Sequence, residues 1–263
     1  TALLEELGWQ RSGDGFAHPD PERRAVFVGD LIDRGPGQRK VLETAKAMCD
    51  AGVADVVMGN HEFNAICWAT PTPDGTGFLR EHNDKNYKQH AAFLRKLSEE
   101  QQAEYVAWFR TLPLWLDRGD LRIVHACWND DEIAVLHNAF GGDRLPDDAD
   151  VLVQAADKCT RTGEAIEVVL KGPERAVADF GLPPFKHGDA TRDGIRLRWW
   201  NRHETRLKHL VDVPKGATFD GRPAHEVLTD RVHSVAPYEY SSDVPVVFGH
   251  HWRTWEPDLG VDW

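Results

Sequence analysis

Val26-Phe27-Val28-Gly29-Asp30-Leu31-Ile32-Asp33-Arg34-Gly35 runs from an apolar stretch into a glycine and two acids, and the same pattern returns downstream. Val56-Val57-Met58-Gly59-Asn60-His61-Glu62 and Val246-Val247-Phe248-Gly249-His250 share its shape, and Ile123-Val124-His125 has it without the glycine. Apolar runs of this kind read as buried parallel strands, because a sheet covered by helices on both faces must be apolar on both. Polar residues at the carboxyl ends of such strands converge where open α/β sheets bind ligands. Asp30, Asn60, His125 and His250 are the residue types that suit a hydrolytic metal centre.

The segments between these runs set their order in space. Apolar residues at 41, 42, 45, 48 and 49 make a helical stripe over Gln38–Ala51, closed by Gly52, so the strands at 25–28 and 56–58 are joined by a β-α-β crossover. A helix is expected after Asn60, with Phe63, Ile66 and Cys67 facing inward. Upstream, Ala2–Leu7 reads as a short helix ended by Gly8, and Gly13, Gly15 and Pro19 mark a turn. Residues 71–119 form a more polar insert, opened by Pro71, Pro73, Gly75 and Gly77; Ser98 with Gln101 resembles a capping box for a helix to about Arg110. A strand at 121–124 restores the sheet. Residues 129–240 are the least regular part, although Ile195-Arg196-Leu197-Arg198-Trp199-Trp200 alternates like a half-buried strand.

Composition narrows the partners. A 263-residue chain that is 41% hydrophobic and carries ten tryptophans can bury a sizeable core. Its net charge of −12 argues against a broad nucleic-acid surface, which needs basic patches, so long nucleic acid is not an expected partner. A nucleotide substrate stays open, since bound divalent cations reverse the local potential. Four dispersed cysteines without a Cys-x-x-Cys pair suit a reducing cytoplasm, and no stretch approaches the roughly 18 apolar residues of a membrane span.

Individually, the motifs allow two readings. Asp30 offers two oxygens able to bridge cations, Asp33 follows three residues on, and Arg34 presents a planar fork that matches phosphate oxygens. The same Gly-Asp-x-x-Asp-Arg-Gly run also suits a turn with a surface ion pair. Asn60 offers a hard amide oxygen and His61 an acid near neutral pH, or the pair is a helix cap with a surface histidine. Together, one crossover apart, they place ligand-type groups on neighbouring strand ends.

In these motifs the chain resembles the calcineurin-like metallophosphoesterase superfamily: Gly29–Gly35 and Gly59–Glu62 match its second and third blocks, His125 and Gly249-His250 its fourth and fifth. With Leu112-Pro113-Leu114-Trp115 leading to His125, the spacing is similar to the branch that holds Ser/Thr protein phosphatases, bacterial diadenosine tetraphosphatases and the phosphatase module of RNA-repair enzymes. The resemblance implies a two-sheet α/β sandwich with helices on the outer faces. It implies one domain over 1–263, with a helical insert at about 71–119 and a substrate-defining, capping region at about 129–240. It also implies hydrolysis of phosphoric esters or anhydrides by a hydroxide bridging two divalent cations, manganese first, with iron, zinc, cobalt or nickel as alternatives. Asp30 would bridge the ions and Asn60, His125 and His250 complete one of them. His61 would protonate the leaving group, oriented by Asp33, while Arg34 holds the phosphoryl group. The substrate would be a phosphorylated small molecule, a nucleotide of the dinucleoside polyphosphate type, or a phosphoprotein.

One block departs. The first, Asp-x-His, has no counterpart in the chain, since Asp14 and His18 have the wrong spacing; it is expected just upstream of Thr1. Were it absent, a degenerate member binding phosphate or nucleotide would be the alternative, and a mononuclear hydrolase using Asp30, His125 and His250 a second. Arg196 and Arg198 face one side of their strand, either as a second phosphate clamp or as a solvated face. Trp199 and Trp200 suit base stacking or core packing, and His251 either ligates or points elsewhere. Cys127 reads as a small buried residue, and His82, His90, His137, His187, His203, His209, His225 and His233 as surface histidines.

Overall fold

The structure, a computed structural model, describes residues 2–201, 204–229 and 240–251. It opens with α1 (Ala2–Glu6) and a hairpin of β1 (Gln10–Ser12) and β2 (Gly15–Ala17). The crossover follows as β3 (Ala25–Phe27), α2 (Gln38–Asp50) and β4 (Ala54–Val56), with β3 and β4 paired in parallel, Phe27 opposite Val56. The second ladder strand lies two residues earlier than the sequence suggests. Val57 and Met58 run on past the ladder, their N–H groups donating to the carbonyls of Phe27 and Pro113. That extension carries the chain straight to Gly59.

α3 (Asn60–Ala69), α4 (Asp84–Lys96) and α5 (Glu99–Arg110) come next. Ser98 caps α5 as expected: its hydroxyl accepts the Gln101 N–H while Gln101 Oε1 accepts the Ser98 N–H. Phe93, Tyr105 and Phe109 bring the 71–119 segment into the main core beside Phe63, Ile66 and Cys67 of α3. β5 (Trp115–Asp117) and β6 (Arg122–Val124) form an antiparallel pair. α6 (Asp130–Phe140), α7 (Ala149–Ala156) and α8 (Arg161–Lys171) bury Leu136, Leu152, Ile166, Val169 and Leu170 in the same core. The first third of the irregular region is therefore helical scaffold.

Short strands then dominate: β7 (Glu174–Ala176), a 3-10 turn at Val177–Phe180, β8 (Phe185–His187), β9 (Ala190–Arg192) and β10 (Gly194–Leu197). They are followed by α9 (Leu207–Leu210), β11 (Val211–Asp212), β12 (Thr218–Phe219), β13 (Arg222–Pro223) and α10 (Ala224–Val227). β10 lies between β11 and β7, and β12 between β13 and β8. Val177, Phe180, Phe185, Ile195, Leu197, Leu210 and Phe219 gather into a second core of their own. Ile195 and Leu197 point into it, so the alternation read from the sequence is a real strand and Arg196 lies on its other face.

The last strand, β14 (Val246–Phe248), pairs in parallel with β6, Phe248 opposite Val124, giving the ladder order β14-β6-β5. The α/β class expected from the sequence holds, and the ladders β3-β4 and β14-β6-β5 carry the site. Burial on both faces does not hold for every run: β3 is half-buried, and Val247 is 47% exposed. Among the described residues both strands lie at the edge of a short ladder.

Candidate metal centre

Two glycines let the strand-end loops meet. Gly29 has φ +83°, and a Cβ there would lie 2.5 Å from the Gly59 nitrogen and 2.9 Å from His125 Nδ1. A Cβ on Gly59 would lie 2.5 Å from the Asp30 nitrogen. Only residues without side chains permit this approach. Asp30, Asp33 and His250 all adopt left-handed backbone, at φ 58°, 71° and 61°, a costly conformation that is concentrated here in functional loops. Gly249 N–H donates to the His125 carbonyl and ties the third loop to the fourth.

The four sequence-predicted ligands converge. His125 Nε2 lies 3.3 Å from Asp30 Oδ1, 3.3 Å from Asn60 Oδ1 and 3.2 Å from His250 Nδ1. His125 Nδ1 donates to the Val28 carbonyl, which fixes the ring proton there and leaves Nε2 a lone pair. That lone pair faces two acceptor oxygens and a second imidazole nitrogen. Such a cluster repels itself unless a cation or proton sits at its centre. Protons are disfavoured: burial holds His125 below its ordinary pKa, and burial, with His125 and Arg196 nearby, pushes His250 down to about 2. Neutral imidazoles, a carboxylate and an amide oxygen are the donors a divalent cation takes. These residues fit a metal ion. Asp14 and His18 stay at the opening hairpin, where His18 accepts the Asp20 N–H, and do not approach the cluster.

Beside the cluster lies the expected acid. His61 opens α3 next to Asn60; its Nδ1 donates to Asp33 Oδ2 at 2.7 Å, leaving Nε2 as the other proton-carrying end. Burial opposes charging this ring, yet the Asp33 hydrogen bond and the charges of Asp30, Asp33 and Glu62 outweigh it and raise its pKa. Asp33 is buried too, which on its own raises a carboxyl. Hydrogen bonds from His61 and His90 win and hold it below the ordinary value. Arg34 is exposed on the loop, next to Asp33.

Two residues were not read from the sequence. Glu62, fully buried at the third position of α3, accepts the N–H groups of Gly59 and Asp30 on Oε2, both at 2.9 Å, and of Leu31 on Oε1 at 2.8 Å. It pins the Asp30 loop to the Gly59 loop, and burial followed by the Asp30 charge raises its pKa to about 7. Its signal was the glutamate three residues after Gly59, the spacing of a helix-capping acid. His90, expected at the surface, is buried and bonded to Asp33, because Phe93 and Trp68 cover it. His82, His137, His187 and His225 are exposed as expected, His209 is half-buried, and His203 and His233 lie outside the described residues.

The remaining candidates resolve by packing. Trp199 is core, donating to the Ala126 carbonyl, and Trp200 and Phe248 pack around His251. The His251 side chain is buried, with Nδ1 3.8 Å from Asp212 Oδ2 and its ring edge-on to that of His250 at 5.3 Å. Arg198 pairs with the same Asp212 at 3.3 Å, and Cys127 is buried as expected. Arg196 is half-buried, close enough to depress His250.

A cluster of a carboxylate, an amide oxygen and two imidazoles at strand ends, with a carboxylate-backed histidine beside it, has the chemistry of a metal-dependent phosphoesterase. A family model for calcineurin-like phosphoesterases matches residues 3–252, and the chain belongs to that family. It is 26% identical to a symmetrical bis(5'-nucleosyl)-tetraphosphatase of Janthinobacterium sp. (strain Marseille), across 89% of this chain and 73% of the relative. The same enzyme in Chromohalobacter salexigens is 28% identical across 95% and 76%. An asymmetrical bis(5'-nucleosyl)-tetraphosphatase, PrpE, of Halalkalibacterium halodurans is 30% identical across 55% and 62%. The chain is a phosphoric ester hydrolase, and its family is divalent-metal dependent. Among the described residues no helix is long and apolar enough to cross a membrane.

Proposed function

We propose that the chain hydrolyses a phosphoric anhydride or ester of a nucleotide, with Asp30, Asn60, His125 and His250 holding the catalytic cation. The observation that carries this reading is the meeting of three lone-pair donors, from Asp30, Asn60 and His250, at 3.2–3.3 Å from a fourth, His125 Nε2, next to the His61–Asp33 pair. When bound, divalent cations polarise phosphoryl oxygens and activate water for in-line attack. Asp33 holds His61 through Nδ1, so that Nε2 delivers a proton to the departing oxygen. Arg34 grips the non-bridging oxygens with its planar fork. Two divalent cations, manganese first, are the expected complement, and Asp30 would help to hold both. The second core at residues 177–228, with the 71–119 segment, defines which phosphate ester enters. A dinucleoside polyphosphate is favoured over a phosphoprotein, because the relatives carry that activity in their names.

The test is a hydrolysis panel with manganese on the full-length protein, comparing dinucleoside polyphosphates, phosphopeptides and nucleoside monophosphates. Preferential turnover of the dinucleoside polyphosphate is expected. Preference for the phosphopeptide would overturn the substrate, and no turnover of any would overturn the reaction. A mononuclear reading has its own support. Among the described residues the grouping of His, Cys, Asp and Glu able to hold an ion is Asp30, His125 and His250. Metal analysis decides between one and two equivalents per chain.

A further inference from the structure

Asp33 has two carboxylate oxygens, and each is held by a different imidazole. Oδ2 accepts His61 Nδ1 at 2.7 Å, and Oδ1 accepts His90 Nδ1 at 2.8 Å. The Asp33 N–H donates to Gln38 Oε1 at 3.0 Å, so the backbone under the carboxylate is fixed as well. A carboxylate only accepts, so both imidazoles carry their proton on Nδ1. Held by His61 alone, the carboxylate is free to turn about its terminal torsion, which is broad and two-fold, and His61 turns with it. A second donor on the other oxygen removes that freedom.

His90 is built to supply it. The ring is 3% exposed, lies stacked on Phe93 with centroids 4.8 Å apart, and is tilted against Trp68 at 5.7 Å. Phe93 shares α4 with His90, and Trp68 shares α3 with His61. The acid and the ring that steadies its partner are thus referenced to the same packed helices. A buried histidine that donates to a carboxylate from between aromatic neighbours has no better account in core packing, for which phenylalanine would serve.

We propose that His90 is a positioning residue for the phosphoester hydrolysis, locking the Asp33 carboxylate so that His61 keeps the tautomer and direction required of an acid. This rests on the reading of His61 as the proton donor. It ties the 71–119 segment to the chemistry and gives that segment a task beyond shaping the substrate.

The experiment uses the full chain with saturating manganese and two substrates, phenyl phosphate with a poor leaving group and p-nitrophenyl phosphate with a good one. Four proteins are compared: wild type, His61→Ala, His90→Phe, which keeps the ring against Phe93 but has no donor, and His90→Asn, whose amide donates from nearly the Nδ1 position. His90→Phe should lower kcat on phenyl phosphate about 10-fold or more, change the nitrophenyl ester less than about 3-fold and leave KM alone. His90→Asn should recover most of the loss. Equal losses on both esters, no loss on either, or a loss of fold in both His90 variants would each overturn the proposal. If His61→Ala is leaving-group selective while His90→Phe is not, the positioning role alone falls. If His61→Ala is itself unselective, the acid reading falls, and His90 with it.

Discussion

Replacing Glu62 by glutamine keeps its volume but removes one of its two acceptor oxygens. With the amide oxygen in the place of Oε2, the bonds from Gly59 and Asp30 survive, and the NH2 group then faces the Leu31 N–H, donor against donor. A buried donor left unsatisfied costs about 1–3 kcal/mol, and the neutral amide is relieved of the burial that pushes the Glu62 carboxyl up, so about 1–2 kcal/mol is expected. Alanine orphans all three donors and releases the Asp30 loop from the Gly59 loop, at about 3–6 kcal/mol, a large share of the roughly 5–15 kcal/mol that holds a domain together. Urea unfolding at pH 7 with a chelator present, followed by tryptophan fluorescence, reads both. With a slope of about 3 kcal/mol/M, Glu62→Gln should lower the midpoint by about 0.3–0.7 M and Glu62→Ala by about 1–2 M. Midpoints within about 0.2 M of wild type for both variants, or alanine no worse than glutamine, would refute the view that Glu62 clamps the two loops.

Other perturbations follow from the same geometry. Gly29→Ala puts a Cβ 2.5 Å from the Gly59 nitrogen on backbone at φ +83° and should cost about 2–4 kcal/mol in thermal unfolding; an unchanged Tm would mean that the loops do not touch. His61→Ala should lower kcat about 100-fold or more on phenyl phosphate and far less on the nitrophenyl ester; equal losses would remove His61 from the acid role. Because the folded environment raises the His61 pKa above 6.5, the charged ring stabilises the fold fully below pH 6.5 and loses that contribution as pH rises through the raised value. The stability difference between wild type and His61→Gln in chelator should therefore shrink with rising pH, and a difference that grows would reverse the sign of the argument.

The clustering of Asp30, Asn60, His125 and His250 was legible because each ends an apolar run, and the runs pair as the crossover and the parallel ladder require: Phe27 with Val56, Val124 with Phe248. His61 and Asp33 were legible for the same reason. Glu62 was visible only as a capping acid; its reach to Asp30 and Leu31 depends on two loops 30 residues apart meeting, which spacing does not encode. His90 looked like any histidine in a polar helix, since the aromatic walls that bury it come partly from α3. Beyond Glu174 the strands run two to four residues, too short for a period-2 pattern to declare itself except at Ile195 and Leu197. The apolar residues of that second core were present in the sequence, but nothing local paired them.

Crystals grown with manganese and measured at the manganese absorption edge address the ligand cluster most directly. An anomalous peak is expected within about 2.3 Å of Asp30 Oδ1, Asn60 Oδ1, His125 Nε2 and His250 Nδ1 together. Strong manganese peaks elsewhere with none among those four atoms would contradict the assignment of the site.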